Sequence, residues 1–283
     1  MPPPGILLYG QQTKWGNLSL PILVPPAKII FGENPLWSVV MPQLKMVSSK
    51  DFTDTILQDY PEIKKFNLIA AGHGYSLSPD IMPIKVDKEY LKTPIIPFDA
   101  AEKAHIPVWI TEISDVTPLD TSIQDGLKWA VTFHNYLTKA NVNAIIWWGG
   151  AMPTSNNESL IILNKNRKDY TLSKRYDILG NYSRYISEGS TRIQVTQPKN
   201  KDLLVSAYKK NDKYILVAIN LSEKTISTNI RLDGANIKGA LKQFITNKDN
   251  RWNKTNIVPV SNKYYNLTIP QFSIVTLVGK VHL

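Results

Sequence analysis

Between residues 27 and 188, short apolar runs alternate with helix-like patterns. Four apolar runs predict buried strands, at residues 27–31, 66–71, 106–111 and 143–148. From Thr121 to Ala140, apolar side chains recur at i, i+3 and i+4, which predicts an amphipathic helix. Shorter helices are predicted over residues 54–65 and 174–186. Strands alternating with helices favour a parallel α/β sheet or part of a (β/α) barrel.

From residue 189 the apolar period changes to two, and no helix-length pattern intervenes before residue 283. This alternation predicts an antiparallel β-sandwich of about 90 residues. Its strands are predicted at residues 203–208, 213–220, 225–232, 239–246, 264–269 and 273–278. Residues 1–26 contain six prolines and no clear period, so they form an unassigned Pro-rich lead.

The composition is typical of globular domains, and the charge and cysteine content limit the classes of binding partner. The 283 residues are 43% hydrophobic and 20% charged. Cysteine is absent, which excludes a disulfide framework and a thiolate zinc site. The net charge of +10 would suit a polyanion, but the lysines are scattered and no nucleic-acid motif accompanies them. We therefore expect a solvated Lys-rich surface rather than a nucleic-acid partner.

The sequence was also searched for a membrane-spanning helix and a secretory signal. No stretch reaches the roughly 18 apolar residues that a membrane helix needs. Residues 1–10 begin with three prolines after the methionine rather than with positive charges, so they do not predict a secretory signal.

Polar and aromatic side chains stand at the ends of the predicted strands. They are Glu33, His73, Tyr75, Glu112 and the pair Trp147 and Trp148. In a (β/α) barrel these positions would line the carboxyl-terminal face, where active sites are built. The alternatives are structural: Glu112 could be a salt-bridged strand end, and His73 and Tyr75 could be polar groups at the edge of the core.

These residue types fit glycoside hydrolysis, which uses carboxylates flanking a sugar above a tryptophan platform. A nucleophilic carboxylate needs a rigid strand and a nearby donor that orients it, and Tyr75 at the neighbouring strand end is of the right type. Trp147 and Trp148 should point to opposite faces of a regular strand, so that one packs inside and the other faces the site.

Several segments, in order, resemble glycoside hydrolase family 30. His105-Ile-Pro-Val-Trp-Ile-Thr-Glu112 resembles the nucleophile segment of the seventh barrel strand. Residues 27–33, 69–75 and 144–148 are similar to the fifth, sixth and eighth strands. The most specific match, residues 172–193, resembles the last barrel helix and the crossing into the family's side β-sandwich. The resemblance covers about residues 27–279.

The resemblance implies a retaining glycosidase acting on β-linked sugars, a class that includes xylanases, β-1,6-glucanases and glucosylceramidases. It makes Glu112 the nucleophile and places His73, Tyr75 and Trp148 around the sugar that is attacked. Trp147 and Glu33, at neighbouring strand ends, are further candidate substrate-binding residues. It implies no cofactor and no metal. The partner would be a polysaccharide or oligosaccharide, and the location extracellular.

Two departures from the family pattern limit this expectation. The Asn-Glu-Pro segment with the acid/base carboxylate is absent, and Glu33 in Gly32-Glu-Asn-Pro35 matches the fifth strand instead. Strands one to four also lack counterparts, so we expect the C-terminal half of a barrel over residues 27–188 and a sandwich over residues 189–283. Such a chain would be inactive or poor unless a missing half-barrel completes it.

Three readings of the whole chain therefore remain. It is part of a retaining glycosidase, a non-catalytic carbohydrate-binding protein, or a truncated fragment without function. The segment after Trp148 also lacks the Arg-bearing stretch with which family members recognise glucuronoxylan, which argues against that substrate.

Overall fold

The structure is a computed structural model of the chain. It describes residues 27–39, 46–77, 95–164, 166, 168–231, 239–261 and 264–280, and the Pro-rich lead lies outside them. The chain divides into two compact units. Among the described residues, the first unit holds 27–39, 46–77, 95–113 and 136–148, and the second holds the remainder.

Four helices and eighteen strands make up the described part of the chain. The helices are α1 Ser49–Asp59, α2 Asp99–Lys103, α3 Ile123–Lys139 and α4 Lys174–Ser183, and a 3-10 turn covers Pro61–Lys65. The strands of the first unit are β1 Ile29–Phe31, β2 Leu36–Val39, β3 Leu68–His73, β4 Tyr75–Leu77, β5 Val108–Ile113 and β6 Ala144–Trp147. None of the described helices is long and apolar enough to cross a membrane.

The strands of the second unit fall into two groups. Near its start lie β7 Ala151–Met152, β8 Ile161–Leu163 and β9 Tyr170–Leu172, which form a small sheet. After α4 follow β10 Thr191–Ile193, β11 Leu203–Lys210, β12 Lys213–Asn220, β13 Ile226–Arg231, β14 Leu241–Thr246, β15 Asn253–Ile257, β16 Pro259–Ser261, β17 Tyr264–Ile269 and β18 Ser273–Lys280.

A four-stranded parallel sheet in the order β1-β3-β5-β6 forms the centre of the first unit. Ile29 pairs with Leu68 and Ala70 with Val108, so the strands start nearly in step. The strands are apolar because both faces of a parallel sheet are normally covered, and β3 is buried from Leu68 to Gly72. The four strands predicted from the apolar runs are therefore present.

Two local features of the first unit differ from prediction. Helix α1 begins at Ser49 rather than at Asp54 because Ser48 and Asp51 form a capping box. Tyr75 does not simply follow a strand. It begins β4, which pairs in parallel with β2 and forms a separate two-stranded sheet.

The second unit contains the predicted antiparallel sandwich. One sheet has the order β10-β11-β12-β18-β14-β15 and the other the order β13-β17-β16. Alternation in β17 buries Tyr265, Leu267 and Ile269 and exposes the residues between them. These three side chains join a core that also includes Leu203, Ala218, Leu241, Val275 and Leu277. Each fully buried side chain of this kind contributes roughly 1.5–3 kcal/mol of hydrophobic free energy.

A network of buried charged residues also stabilises the second unit. The Arg175 guanidinium in α4 donates to Asp125 Oδ2 at 2.5 Å and to Asn157 Oδ1 at 2.9 Å. Lys128 pairs with Asp115 and lies 3.5 Å from Asp125. Burial raises the pKa of Asp125 above its usual value, although Arg175 and Lys128 oppose this shift. Charges buried this deeply are tolerated because each has an opposite partner.

Candidate active site

The carboxyl ends of three adjacent parallel strands bring the predicted polar residues together. Glu33 lies just beyond β1, His73 is the last residue of β3, and Glu112 is the second-last residue of β5. Because β1, β3 and β5 run in the same direction, their ends meet at one edge of the sheet. Glu33, His73, Tyr75 and Glu112 all belong to the first unit.

Glu112 is held by two neighbouring side chains. The Tyr75 hydroxyl donates to Glu112 Oε1 at 3.3 Å, and His73 Nδ1 lies 3.4 Å from the same oxygen. The backbone carbonyl of Glu112 accepts from Gly74 N–H at 2.7 Å, which anchors the strand beneath the side chain. The carboxylate therefore has a defined position, with the hydroxyl donor that the sequence predicted beside it.

Glu33 occupies the other side of the histidine ring. Its Oε1 lies 3.2 Å from His73 Nε2 and accepts a hydrogen bond of 2.5 Å from the Thr111 hydroxyl. The Glu33 side chain is 42% exposed, so it is open to a ligand. A doubly protonated imidazole at position 73 could donate to both carboxylates at once, whereas a neutral ring could donate to only one.

The two carboxylates are close enough to act on one sugar ring. The contacts to His73, with roughly 2 Å between the two nitrogens of an imidazole ring, place the two Oε1 atoms within about 9 Å of each other. Both carboxylates can therefore contact the same bound sugar ring.

Thr111 is a site residue that the strand pattern did not predict. In a regular strand, Thr111 and Glu112 would point to opposite faces. The pairing of β3 with β5 passes from Gly72–Ile110 directly to His73–Glu112, so Thr111 is an extra, bulged residue. The bulge lets both side chains contact residues of the site. No one-dimensional signal marks it, because it depends on the register with β3.

Close backbone packing fixes the turn between β3 and β4. A Cβ atom on Gly74 would lie 2.6 Å from Cδ1 of Ile113, so only glycine fits there without movement. The Tyr136 hydroxyl donates to the Gly74 carbonyl at 2.9 Å, and His73 N–H donates to the Asn34 carbonyl at 3.0 Å. Asn34 and Tyr136 therefore support the site through the backbone, a role that was not predicted.

The two adjacent tryptophans differ in exposure, as the strand period predicted. Trp147 is 8% exposed and belongs to the buried core. Trp148 is 52% exposed, and its backbone N–H donates to the carbonyl of Ile113 at 3.0 Å, next to Glu112 in the chain. An exposed indole beside the carboxylate edge has the chemistry of a sugar-stacking platform. Trp147 has no comparable exposure, so contact with a ligand would require movement.

No metal centre is formed by the described residues, since no three or more of their His, Asp and Glu side chains are arranged to hold an ion. What the site presents is a held carboxylate, a second carboxylate, hydroxyl donors and an aromatic face. This set can bind a neutral sugar and attack an electrophilic carbon.

Comparison with known proteins finds glycosidases to which this chain is similar. No family model matches the chain. Glucuronoxylanase XynC of Bacillus subtilis strain 168 is 24% identical over 238 residues, which cover 81% of this chain and 50% of that protein. The family 30 subfamily 8 xylanase Xyn30A of Clostridium acetobutylicum superposes with a TM-score of 0.64 at 22% identity, covering 81% of this chain and 52% of the xylanase chain.

A family 30 endoxylanase of Clostridium papyrosolvens C71 has the same TM-score of 0.64 at 21% identity, over 82% of this chain and 53% of that one. These comparisons confirm the predicted resemblance to glycoside hydrolase family 30. The chain spans about half the length of the curated relatives that it matches.

Proposed function

We propose that this chain carries the nucleophile side of a retaining glycoside hydrolase site for a β-linked polysaccharide such as xylan or a β-glucan. The observation that carries the proposal is the Glu112 carboxylate at a strand end, contacted by Tyr75 Oη and His73 Nδ1. The likeness to family 30 xylanases supports the same class of substrate.

In this proposal Glu112 attacks the anomeric carbon of the bound sugar and forms a covalent glycosyl intermediate, while the glycosidic oxygen leaves with a proton from an acid. Water then attacks the intermediate and releases the sugar. Tyr75 and His73 orient the carboxylate, Glu33 and Thr111 hydrogen-bond sugar hydroxyls, and Trp148 stacks on a sugar face.

We further propose that β1, β3, β5 and β6 correspond to strands five to eight of a (β/α)₈ barrel, with the barrel part over residues 27–188 and the side sandwich over residues 189–283. Within the described residues, β1 and β6 pair with a strand on one side only, which supports an open half-barrel. The other half would then contribute the proton donor. Without that donor, hydrolysis of ordinary glycosides should be roughly 10²–10⁴-fold slower.

An extracellular location is proposed on the same grounds. The chain superposes with a TM-score of 0.61 on a conserved exported protein from Bacteroides fragilis, at 21% identity.

A mechanism-based label tests the nucleophile without needing the proton donor. Dinitrophenyl 2-deoxy-2-fluoro-β-xyloside and the corresponding dinitrophenyl 2-deoxy-2-fluoro-β-glucoside carry a leaving group that departs without protonation. The glycosyl intermediates that they form persist. We expect mass spectrometry of the digested protein to find one sugar on Glu112. Glu112→Gln should abolish labelling, whereas Glu62→Gln, a matched change at an exposed position in the same unit, should not.

A label on another carboxylate, or an unchanged rate in Glu112→Gln, would overturn the assignment of Glu112. No labelling by either sugar at millimolar concentration, in a folded protein, would overturn the retaining mechanism for this chain.

A second candidate function is carbohydrate binding without hydrolysis, which the exposed indole of Trp148 favours. This function predicts that xylo-oligosaccharides bind in calorimetry, that Trp148→Ala removes binding, and that Glu112→Gln leaves it unchanged. Binding that fails in both variants would instead favour the catalytic site.

A further inference from the structure

Helix α4 covers only part of the outer face of the larger sandwich sheet, which is the face turned away from the sandwich core. Asn181 Nδ2 in α4 donates to Thr276 Oγ1 in β18 at 3.1 Å. The ring centres of Tyr185, just after the helix, and Phe244 in β14 lie 4.5 Å apart. Helix α4 ends at Ser183, so it leaves the rest of this face uncovered.

The outer face carries one basic residue from each of the six strands of the sheet. In the order of the strands across the sheet these residues, together called the cationic arc, are Arg192, Lys210, Lys213, Lys280, Lys242 and Lys254. Residues directly opposite each other on neighbouring strands share a face. The pairing registers, followed from Thr276 and Phe244, place the whole arc on the outer face.

The members of the cationic arc are neighbours in space. Lys210 lies directly opposite Lys213, and Lys213 lies directly opposite Lys280. Each of the other three members lies diagonally from the next one, offset by two residues along the neighbouring strand. The Cβ atoms of such pairs are about 5–8 Å apart, and five strand spacings give the arc a length of about 24 Å.

Little negative charge faces the cationic arc. None of the six strands, as described, contains an Asp or Glu. Asp212, in the turn after β11, has its Oδ2 3.9 Å from Lys280 Nζ, and both side chains are exposed. Glu188 accepts from Lys210 through its backbone carbonyl rather than its carboxylate. The positive charge of the arc therefore exceeds the negative charge beside it.

The arrangement of three lysines directly opposite one another is unfavourable by itself, because like charges in such positions destabilise strand pairing. Main-chain carbonyls hold two of the ammonium groups. Lys210 Nζ donates to the carbonyl of Glu188 at 2.6 Å, and Lys213 Nζ donates to the carbonyl of Tyr185 at 2.9 Å. These hydrogen bonds fix the positions of the charges without neutralising them. A bound polyanion would remove the repulsion.

The form of the cationic arc favours a linear polyanion. A row of charges can follow a polymer chain across the strands. No large apolar or aromatic side chain of the six described strands is exposed, so the arc has no group to insert into a lipid surface or to stack on a nucleic-acid base. Lysine is a compact charge on a flexible stem, which suits carboxylates at varying positions.

We propose that the cationic arc binds a linear polysaccharide that carries carboxylates, such as a polyuronate, across the strands of the larger sheet. The sugar carboxylates pair with the ammonium groups of Lys213, Lys280 and Lys242, and the other members of the arc extend the contact on both sides. All six residues belong to the second unit, whereas Glu112 belongs to the first. This inference does not depend on the proposed glycosidase function.

A fluorescently labelled oligogalacturonate, longer than the arc, tests the proposal by anisotropy with the intact chain. Binding at low salt should weaken steeply as salt is added, because the contacts are exposed to solvent. The methyl-esterified oligomer has the same sugars without the charges and should not bind. This comparison leaves the protein unchanged, so misfolding cannot imitate the result. Absence of binding by the charged oligomer, or equal binding of the two oligomers, would overturn the proposal.

Two double variants with the same change in charge locate the site. Lys242→Gln with Lys280→Gln removes two charges from the arc and should weaken binding about 3–30-fold, without lowering the Tm. Lys199→Gln with Lys201→Gln removes two exposed charges near the opposite end of β11 and should change binding less than about twofold. Equal weakening in both variants, or tighter binding of single-stranded DNA of the same length, would overturn the proposal.

Discussion

The buried guanidinium of Arg175 offers a sharp test of how the second unit is stabilised. The side chain is fully buried and donates to the carbonyl of Asp120 at 2.5 Å and to Asp125 Oδ2 at 2.5 Å. Two further hydrogen bonds join it to Asn157 Oδ1 at 2.9 Å and to the carbonyl of Ser159 at 3.1 Å. Arg175→Met keeps most of the side-chain volume and removes all four contacts.

Breaking a buried pair by removing one partner costs about 3–5 kcal/mol, because the remaining charge is left without compensation. Lys128 Nζ lies 3.5 Å from Asp125 and keeps part of that compensation, so we expect a loss of about 3 kcal/mol. For a unit of this size that loss corresponds to a fall in Tm of about 6–12 °C.

Urea unfolding, followed by tryptophan fluorescence at pH 7 and pH 4.5, measures the loss. Burial already raises the pKa of Asp125, and removing Arg175 raises it further, so Asp125 should be partly neutral at the lower pH and the deficit should shrink there. Lys248→Met breaks an exposed pair with Asp249 and serves as the control, with an expected cost below about 1 kcal/mol. A cost for Arg175→Met no larger than the control, or one equal at both pH values, would refute this account.

Three further predictions concern burial, close packing and pH. Trp147→Ala should lower the free energy of unfolding by about 3–5 kcal/mol, whereas Trp148→Ala should cost little because its indole is half exposed; similar losses in urea titrations would contradict this. Gly180→Ala places a Cβ 2.2 Å from a tryptophan ring and should cost about 1–3 kcal/mol, but Gly150→Ala meets nothing within 4 Å and should be nearly neutral in thermal melts. Although burial raises the pKa of Asp115, hydrogen bonds from a lysine and a threonine lower it below its usual value. This carboxylate therefore contributes stability above about pH 4, and that stability is lost as the pH falls through the folded-state pKa. In Asp115→Asn the free energy of unfolding should fall less steeply on the acid side, and equal slopes in the two proteins would refute the assignment.

The candidate site shows where strand patterns suffice and where they do not. Glu33, His73 and Glu112 could be placed at one sheet edge because parallel strands align their carboxyl ends. The contact of His73 with both carboxylates could not be predicted, since it depends on side-chain conformations across three strands. Thr111 joins the site only through a bulge in β5, and a bulge is a property of the pairing between two strands rather than of either segment.

The positive charges are a second feature whose environments the sequence did not indicate. A net charge of +10 suggested a polyanion partner and then a merely solvated surface. The structure shows that some of these cations have defined partners. Arg175 and Lys128 are buried against carboxylates, Lys209 Nζ lies 5.4 Å from the centre of the Tyr214 ring, and Arg184 lies over the ring of Trp252 at 4.3 Å. A count of charges cannot separate these environments.

By itself, the sequence determined the class of each half: strands alternating with helices before residue 188, and period-two strands after it. Apolar periodicity is a local property, so it can be read along one chain. It also placed a carboxylate and a histidine at strand ends. Only the tertiary structure decided that Trp147 is buried and Trp148 exposed, and that Thr111 contacts Glu33. Those features depend on register and sheet order, which are set by contacts between residues far apart in the chain.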